Sequence, residues 1–255
     1  MRIERVNVIG SGNVGKQLAQ QIAVHRNVVS IYSRGFEKAR SLSKLIDATP
    51  VSRAEGLKED VDLNIVCVSD DSIKEVIQKL PKHIPIVHTS GSVDISIFEG
   101  FEHFGILYPL QTFSADRAVE MDHVPFLIEA NSEEFQQALV YFAQDCFSEL
   151  VELCDSEKRK LIHIAAVITA NFSNQLVKQA KDILDKESIS YKILEPLMYE
   201  IVKKAFDLGP EEAQTGPAQR GDKEIIQNHL NMLEGKEIKE VYRILSKLIN
   251  PEVVD

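Results

Sequence analysis

The chain has 255 residues, of which 44% are hydrophobic and 27% are charged, which is typical of a globular protein with room for two domains. Its formal net charge of −10 argues against nucleic acid and anionic membrane partners, because both would need a basic surface. No apolar run approaches the length of a membrane span, and the first predicted strand begins so early that we expect no signal peptide. Three scattered cysteines predict buried thiols in a reducing cytoplasm, without a disulfide framework or a metal site.

A glycine-rich turn near the start of the chain carries the first functional signal. Apolar residues over 3–9 predict a buried strand, and the apolar spacing over 14–22 predicts a helix. Between them, Gly10, Gly12 and Gly15 have the G-x-G-x-x-G spacing of a dinucleotide-binding turn, in which backbone N–H groups and the positive end of the helix face a pyrophosphate. The sequence therefore predicts a cofactor site, to which the other turn residues also belong: Ser11, Asn13 and Val14.

The residues after the second predicted strand indicate which dinucleotide is bound. That strand covers 28–32 and is followed by Ser33 and Arg34. An NAD site usually has an acidic residue here for the ribose 2′-hydroxyl, but the nearest acid, Glu37, falls inside the next helical pattern. Arginine is a planar cation suited to phosphate oxygens, so we expect NADP (NADPH), with its 2′-phosphate at Ser33 and Arg34. An exposed arginine at a strand end is the alternative interpretation.

The strand predicted over 62–68 brings further polar groups to the same edge of the sheet. Open α/β sheets bind ligands at the carboxyl ends of their strands, so Val68 and Ser69 are expected to contact the cofactor. Ser69 or Asp70 can instead cap the helix predicted over 73–80, and capping is the favoured role for the two side chains.

Two later stretches are expected near the reacting end of the cofactor. The strand predicted over 84–88 leads into a small-residue loop with Ser90, where a nicotinamide ring would lie. The stretch 104–113 is a strand broken by proline and followed by polar and aromatic residues. It supplies Tyr108 as a candidate acid and Gln111 as a candidate substrate contact.

The chain changes character after Asp155. Strands are predicted over 124–129 and 149–153, on either side of a helix over 132–146, and only helical patterns follow. The predicted fold class is α/β, a Rossmann-type, mostly parallel sheet with a C-terminal all-α domain. The predicted domains are an NADP-binding domain, 1–154, and a helical domain for substrate binding and dimerisation, 155–255.

The first C-terminal helix, predicted over 160–174, is apolar nearly all round and is therefore expected to be buried. It has more apolar surface than a domain of about a hundred residues readily covers, so we expect a homodimer. His163 and Asn171 lie on one face, about 12 Å apart at 1.5 Å per residue of α-helix. They are either structural side chains or catalytic groups that face the nicotinamide, in which case Asn171 is expected to lie nearer to it.

A second polar stretch, 214–222, is predicted to be a loop between helices because it contains two glycines and a proline. Asp222 is placed to cap the helix that follows. Thr215 and Arg220 are candidate substrate contacts, since an arginine on such a loop can bind a carboxylate or a phosphate. Binding of Arg220 to loop carbonyls is equally compatible with the pattern.

Several of these motifs together resemble one bacterial family of NADP oxidoreductases, in which a Rossmann-like domain is joined to a helical domain of unknown function. They are the glycine turn, Ser33-Arg34, the Tyr-Pro-Leu-Gln-Thr-Phe segment 108–113, the Ala-Ala-Val…Ala-Asn-Phe helix 165–172 and the Thr-Gly-Pro-Ala-Gln-Arg-Gly-Asp segment 215–222. The resemblance covers essentially the whole chain. More distantly, the chain is similar to pyrroline-carboxylate reductase, ketopantoate reductase, deazaflavin-dependent NADP oxidoreductases and β-hydroxyacid dehydrogenases.

These relatives imply a dimer built on the helical domain, with a small-molecule substrate bound between the domains. The chain departs from them at two positions. Val167 stands where β-hydroxyacid dehydrogenases have a catalytic lysine, four residues before the family asparagine, and Tyr108-Pro109 stands where relatives often have His-Pro. The cofactor is therefore better supported by the resemblance than the chemistry is.

Three functions remain open at this point. The first is an NADPH-dependent reductase of a small carbonyl or imine, with His163 as proton donor, Asn171 orienting the substrate and Tyr108 as the alternative acid. The second is a deazaflavin-dependent NADP reductase, which needs no strong protein acid. The third is a non-catalytic protein that binds or senses NADP(H).

Overall fold

The computed structural model describes residues 1–254 and divides into two compact units, Met1–Ala170 and a helical unit that begins at Asn171. The first unit contains one sheet, whose strands are β1 (Arg5–Ile9), β2 (Asn27–Tyr32), β3 (Thr49–Val51), β4 (Leu63–Val66), β5 (Ile86–His88), β6 (Phe104–Pro109), β7 (Phe126–Ala130) and β8 (Val151–Leu153). Their order in the sheet is β3-β2-β1-β4-β5-β6-β7-β8.

All neighbouring strands run parallel except β6 and β7, which are antiparallel. Val8 pairs with Ile31 of β2 on one side and with Ile65 of β4 on the other, so β1 lies inside the sheet. The order of the first six strands is the one found in Rossmann folds, with the chain reversing direction across the sheet between β1 and β4. The predicted α/β fold with a mostly parallel sheet is therefore confirmed.

Helices cover both faces of the sheet, as the buried, β-branched strands require. They are α1 (Asn13–His25), α2 (Phe36–Ile46), α3 (Asp70–Ile77) and α4 (Glu133–Cys146). On one face, Leu18 and Leu139 represent a core built from α1, α2 and α4. On the other face, Ile73 of α3 packs with Phe98 and with the buried side chains that the central strands point to that face. Together these cores position the carboxyl edge of β1, β4, β5 and β6.

Helices make up most of the described chain after β8. The helices are α5 (Ser156–Ala166), α6 (Ser173–Asp185), α7 (Glu195–Leu208), α8 (Pro210–Ala213), α9 (Pro217–Arg220), α10 (Lys223–Met232) and α11 (Lys236–Ile249). α5 begins where Asp155 accepts a hydrogen bond from the backbone N–H of Lys158 at 2.8 Å, which is a helix N-cap.

A π-helical segment, Val167–Phe172, follows α5 directly. Its hydrogen bonds connect residues five apart, so each turn contains more residues than an α-helical turn. The expectation that an α-helix runs without interruption from His163 to Asn171 is therefore wrong. The wider turn also fits the hydroxyl of Thr169, which donates to the carbonyl oxygen of Ala165 at 2.9 Å.

The prediction that the segment 160–174 is buried within the chain is also wrong. Four of its large apolar side chains are more than half exposed: Leu161 (66%), Ile164 (56%), Ile168 (54%) and Phe172 (56%). An apolar pattern on all sides of a helix predicts that the helix is covered, but the pattern does not say that the cover comes from the same chain. Within residues 1–254, no helix is both long enough and apolar enough to cross a membrane.

Candidate functional site

The motif glycines form the turn between β1 and α1, and backbone contacts require two of them. Gly10 has a φ of +117°, and a Cβ atom there would overlap the carbonyl oxygen of Cys67 at the end of β4. A Cβ atom on Gly15 would overlap the carbonyl oxygen of Gly10. The first turn of α1 is therefore packed directly against the carboxyl edge of the two central strands.

Gly12 differs because the position of its missing side chain is open. Its φ is −71°, and none of the described atoms lies within 4 Å of a Cβ built there. Among residues 1–254, no side chain caps the start of α1, so its first N–H groups are available to an anion. The buried hydroxyl of Ser11 has no hydrogen-bond partner in the described chain. These residues fit the pyrophosphate of a dinucleotide.

A cleft of about 310 Å³ connects this turn with the end of β2. Of the residues predicted to bind the cofactor, seven line it: Gly10, Ser11, Gly12, Ser33, Arg34, Val68 and Ser69. Lys38 also lines the cleft and was not predicted, although a basic residue in the first turn of the helix after Arg34 is a usable signal. Two cations at the end of β2 suit the 2′-phosphate of NADP. Glu37 forms an ion pair with Arg40 at 3.7 Å and does not line the cleft.

The other four predicted cofactor residues lie outside the lining of this cleft. The side-chain amide of Asn13 donates to the carbonyl oxygen of Phe113 at 3.0 Å and so holds the loop after β6. Val14 packs against the core of the α1 face, and Gly15 is enclosed by backbone. Ser90 lies in the loop after β5.

The favoured capping role of Ser69 and Asp70 is wrong. Ser69 occupies the N-cap position of α3, but its hydroxyl is 2.9 Å from the hydroxyl of Ser72. The carboxylate of Asp70 accepts a hydrogen bond of 2.5 Å from the hydroxyl of Ser92, in the loop after β5. A partner 22 residues away takes the place of the local backbone donors.

Tyr108 and His163, the two candidate proton donors, form a hydrogen-bonded pair. The Tyr108 hydroxyl is 3.0 Å from His163 Nδ1, although the residues are 55 positions apart. Tyr108 is the penultimate residue of β6, and His163 lies on α5. Burial raises the pKa of Tyr108, an effect that the positive charge of Arg159 partly offsets, so at neutral pH Tyr108 is a phenol.

Gly91 lies directly against this pair, in the loop after β5. A Cβ atom on Gly91 would be 2.6 Å from His163 Nδ1 and 2.9 Å from Tyr108 Cζ. The pair therefore lies at the carboxyl edge of β5 and β6, and His163 is not remote from the edge where a nicotinamide was expected. The contact involves three segments that are distant in sequence, so the role of Gly91 had no local signal.

His88 organises the start of the same loop. Its ring is fully buried, and its Nδ1 accepts a hydrogen bond from the backbone N–H of Ser90 at 3.1 Å. The hydroxyl of Ser90 in turn accepts from the N–H groups of Ser92 and Val93, both at 3.1 Å. Burial, assisted by the charge of Arg159, lowers the pKa of His88 to about 3, so the ring is neutral and Nδ1 stays an acceptor.

Arg159 is a fully buried charge that sequence reasoning missed. Its side chain is 0% exposed, and Nη1 donates to Glu129 Oε2 at 2.5 Å. An arginine in the first turn of a helix with neighbouring charges at 157, 158 and 160 has the pattern of a solvated surface residue. Only the packing of α5 against β7 and the loop after β5 encloses it.

The remaining predicted residues are more exposed. Gln111 accepts a hydrogen bond from the backbone N–H of Thr112 at 2.8 Å, and Asn171 is exposed at the start of the helical unit. Thr215 lies before α9, and Arg220 donates through Nε and Nη2 to Asp222 Oδ2, both at 2.9 Å. Asp222 therefore does not cap α10, because Arg220, two residues earlier, takes its carboxylate. The described residues contain no group of three or more His, Cys, Asp or Glu side chains placed to hold a metal ion.

Because the Cβ position at Gly12 is open, we predict that a substitution there weakens cofactor binding without destabilising the protein. In Gly12→Ala, the added methyl group meets no protein atom of the described chain but occupies space beside the α1 N-terminus, so NADPH should bind at least tenfold more weakly. The melting temperature of the protein without cofactor should stay within a few degrees. Gly15→Ala is the contrasting variant, because its methyl group overlaps backbone and should lower that melting temperature. Unchanged NADPH affinity in folded Gly12→Ala would contradict the cofactor placement.

Arg34 generates a prediction about cofactor choice. If it binds the 2′-phosphate, NADPH should bind more tightly than NADH, and Arg34→Ala should narrow the difference by on the order of 1–3 kcal/mol, the value of a charge-assisted hydrogen bond. Fluorescence titration of both cofactors measures this. Arg40→Ala is the matched control, since Arg40 pairs with Glu37 and is not part of the cleft lining. Equal affinities for the two cofactors in the parent protein would end this assignment.

The chain matches two protein-family profiles. Residues 5–95 match the family described as NADP oxidoreductase, coenzyme F420-dependent, and residues 124–249 match a domain of unknown function, DUF2520. None of the curated proteins compared with the chain gives a significant match.

Solved structures resemble the chain over nearly its whole length. A candidate NADP oxidoreductase from Bacteroides fragilis is 34% identical, with a TM-score of 0.89 and 98% of each chain covered. A reductive aminase from Aspergillus terreus, in complex with NADPH and ethyl-5-oxohexanoate, is 14% identical with a TM-score of 0.76, covering 99% of this chain and 94% of that one. An imine reductase from Myxococcus stipitatus, in complex with NADP+, is 15% identical with a TM-score of 0.67, covering 97% of this chain and 92% of that one.

The two reductases share the fold, and the Bacteroides protein is similar enough to share the family. The cofactor turn, the cleft with Arg34 and Lys38, and the two matched profiles agree with that assignment. The chain belongs to the NADP oxidoreductase family whose members join a Rossmann-like NADP-binding domain to a DUF2520 helical domain.

Proposed function

We propose that the protein is an NADPH-dependent reductase of a small carbonyl or imine compound, with Tyr108 as its proton donor. The hydrogen bond of 3.0 Å between Tyr108 and His163 carries this proposal. The pair lies beside Gly91, at the carboxyl edge of the sheet, which is also the edge at which the glycine turn follows β1. The shared fold with a reductive aminase and an imine reductase supports this class of substrate.

The residues of the pair can deliver and replace one proton. Bound NADPH supplies a hydride to the substrate carbon, and the oxygen or nitrogen of the reduced group then needs a proton. With a proton on Nδ1, His163 donates to the Tyr108 oxygen and leaves the phenolic hydrogen for the substrate. When the Tyr108 O–H bond breaks, the Nδ1 proton moves to the phenolate oxygen while Nε2 takes up a proton from solvent, so the imidazole changes tautomer and stays neutral. His163 is only partly buried, so water can restore its proton.

The other predicted site residues stay candidate substrate contacts from the sequence alone. Asn171 offers an amide that can orient the substrate, and Gln111, Thr215 and Arg220 are its candidate polar contacts. The pairing of Arg220 with Asp222 leaves guanidinium N–H groups for a carboxylate, because the two bonds to Asp222 use only Nε and Nη2. These four roles remain predictions.

A deazaflavin-dependent NADP reductase is the second candidate. The family description matched by residues 5–95, which names coenzyme F420, favours it. Hydride transfer between two cofactors needs no strong protein acid, so Tyr108 would matter little to its rate. The effect of Tyr108 on the rate therefore separates these two candidates experimentally. NADPH binding without turnover of any compound would favour the third function, a non-catalytic protein that senses NADP(H).

A panel of keto acids, other small ketones, cyclic imines and a deazaflavin, monitored by NADPH absorbance, tests the proposed function. We expect turnover of a carbonyl or imine compound, and Tyr108→Phe should lower kcat by about 10²- to 10⁴-fold, the usual contribution of a general acid. NADPH affinity should stay within twofold. Tyr141→Phe is the matched control, because that tyrosine is exposed on α4. Turnover of the deazaflavin alone, or full activity in Tyr108→Phe, would refute the proposal.

We also propose that the protein works in a reducing compartment, the cytoplasm. Cys67, Cys146 and Cys154 are free and buried. Burial raises the pKa of Cys67 and of Cys146 to about 12, so both are neutral thiols packed in the interior.

A homodimer is proposed from the apolar surface of the helices. Besides the four side chains of the segment 160–174, Phe206 on α7 is 88% exposed and Leu248 on α11 is 77% exposed. A second copy presents the same apolar helices, so a symmetric interface can cover the exposed apolar side chains of both copies. The acidic chain favours this occupant over an anionic surface.

Light scattering across a dilution series tests the dimer. We expect twice the 28.7 kDa mass of the chain at micromolar concentration, and Phe206→Glu should shift the equilibrium toward the monomer, since it puts a charge into the apolar surface. Lys203→Ala, an exposed position on the same helix, is the control. A 28.7 kDa species at all concentrations would disprove dimerisation.

A further inference from the structure

We infer that Arg159 is the residue that positions the Tyr108–His163 pair, an inference that rests on the proposed reductase function. Arg159 lies on α5, four residues before His163, and its side chain is fully buried. Residues four apart in an α-helix follow one another on the same face. Fixing the Arg159 side chain therefore also fixes the height and rotation of the turn from which His163 projects.

The Arg159 guanidinium connects α5 with two other elements. Nη1 donates to Glu129 Oε2 on β7 at 2.5 Å, and Nη2 donates to the carbonyl oxygen of Val93, in the loop after β5, also at 2.5 Å. Ser156 strengthens the same junction, since its hydroxyl donates to Glu129 Oε2 at 2.7 Å and accepts from the N–H of Ile95 at 3.1 Å. One planar cation thus ties the helix to the sheet and to the loop.

The loop bound by Arg159 is the one that contains Gly91. The N–H of Val93 is held by the hydroxyl of Ser90, and the carbonyl oxygen of Val93 is held by Arg159. Gly91 lies between these fixed points, in contact with both Tyr108 and His163. Arg159 therefore fixes the two segments that adjoin the pair. One is α5, which carries His163, and the other is the loop with Gly91, which Arg159 holds through Val93.

Stability alone does not account for this arrangement. Burying the charge of Arg159 costs desolvation energy, and a buried ion pair is often no more stabilising than apolar side chains of the same volume. The cost is not fully offset here, because Nε of Arg159 is buried without a hydrogen-bond partner in the described chain. The guanidinium instead provides directional bonds to two elements at once, which an apolar side chain cannot provide.

A double-mutant cycle read by NMR tests this positioning role without turnover or cofactor. In protein labelled with 15N-histidine, Tyr108→Phe should shift the ring nitrogen signals of His163, which are assigned with His163→Gln. In an Arg159→Met background, Tyr108→Phe should cause less than a third of that shift, because the hydrogen bond is already lost. Lys158→Met is the matched control, an exposed neighbour on the same helix, and should preserve the full shift.

Full coupling between Tyr108 and His163 in folded Arg159→Met would overturn the inference. If that variant does not fold, Arg159→Lys carries the test, because an ammonium group can reach Glu129 or Val93 but cannot bridge both as the guanidinium does. We expect at most two thirds of the parent coupling in Arg159→Lys, and full coupling would overturn the inference equally. Once a substrate is known, Arg159→Lys should lower kcat at least fivefold with NADPH affinity within twofold. An inactive parent protein would refute the proposed function, while the NMR cycle would still decide the positioning role.

Discussion

Backbone packs against backbone where the turn after β1 meets the end of β4, and the cofactor side of the protein depends on this contact. Gly10 donates its N–H to the carbonyl oxygen of Tyr32 at 2.7 Å, and Cys67 donates its N–H to that of Ile9 at 2.7 Å. The turn is therefore held by both neighbours of β1. Because no side chain separates Gly10 from Gly15, the N-terminus of α1 lies at the carboxyl edge of the sheet, where its N–H groups can bind an anion. The cleft lined by Arg34 and Lys38 opens from the same place.

The opposite side of the proposed active site depends on side chains instead. The loop after β5 is held by His88, by the hydroxyl of Ser90, by Asp70 of α3 through Ser92, and by Arg159 of α5. Hydrogen bonds in a dry interior are directional and costly to break, so such a network fixes a loop more narrowly than apolar packing does. Tyr108 and His163 meet within this network, which prepares their hydrogen bond before any substrate arrives.

The helical unit is stabilised differently from the sheet. Its described buried core is small and centres on Ala218, Ile226, Leu230 and Val253. Large apolar side chains of α7 and α11 are exposed instead. Covering such a surface is favourable, because it removes apolar area from water. The Rossmann-type unit buries its apolar strands under its own helices, whereas the helical unit leaves much of its apolar surface for association.

The sequence by itself determined most of the helices and strands and the cofactor turn, while tertiary structure decided the polar contacts. The helix predicted over 132–146 is observed at Glu133–Cys146, because its apolar period is a local feature. The glycine spacing likewise specifies a backbone geometry within six residues. Lys38 was missed even though its place in the first turn of α2 is a local signal.

The wrong or missing expectations concern side chains whose partners come from elsewhere. Tyr108 and His163 are 55 positions apart, and Arg159 and Val93 are 66 positions apart. Asp70 accepts a hydrogen bond from the hydroxyl of Ser92, in the loop after β5, and not from the helix backbone that it was expected to cap. Hydrophobic periodicity reports which face of an element is buried, but it does not report which element covers that face. A buried polar group takes whichever partner the packing brings within about 3 Å, and only the folded chain decides which partner that is.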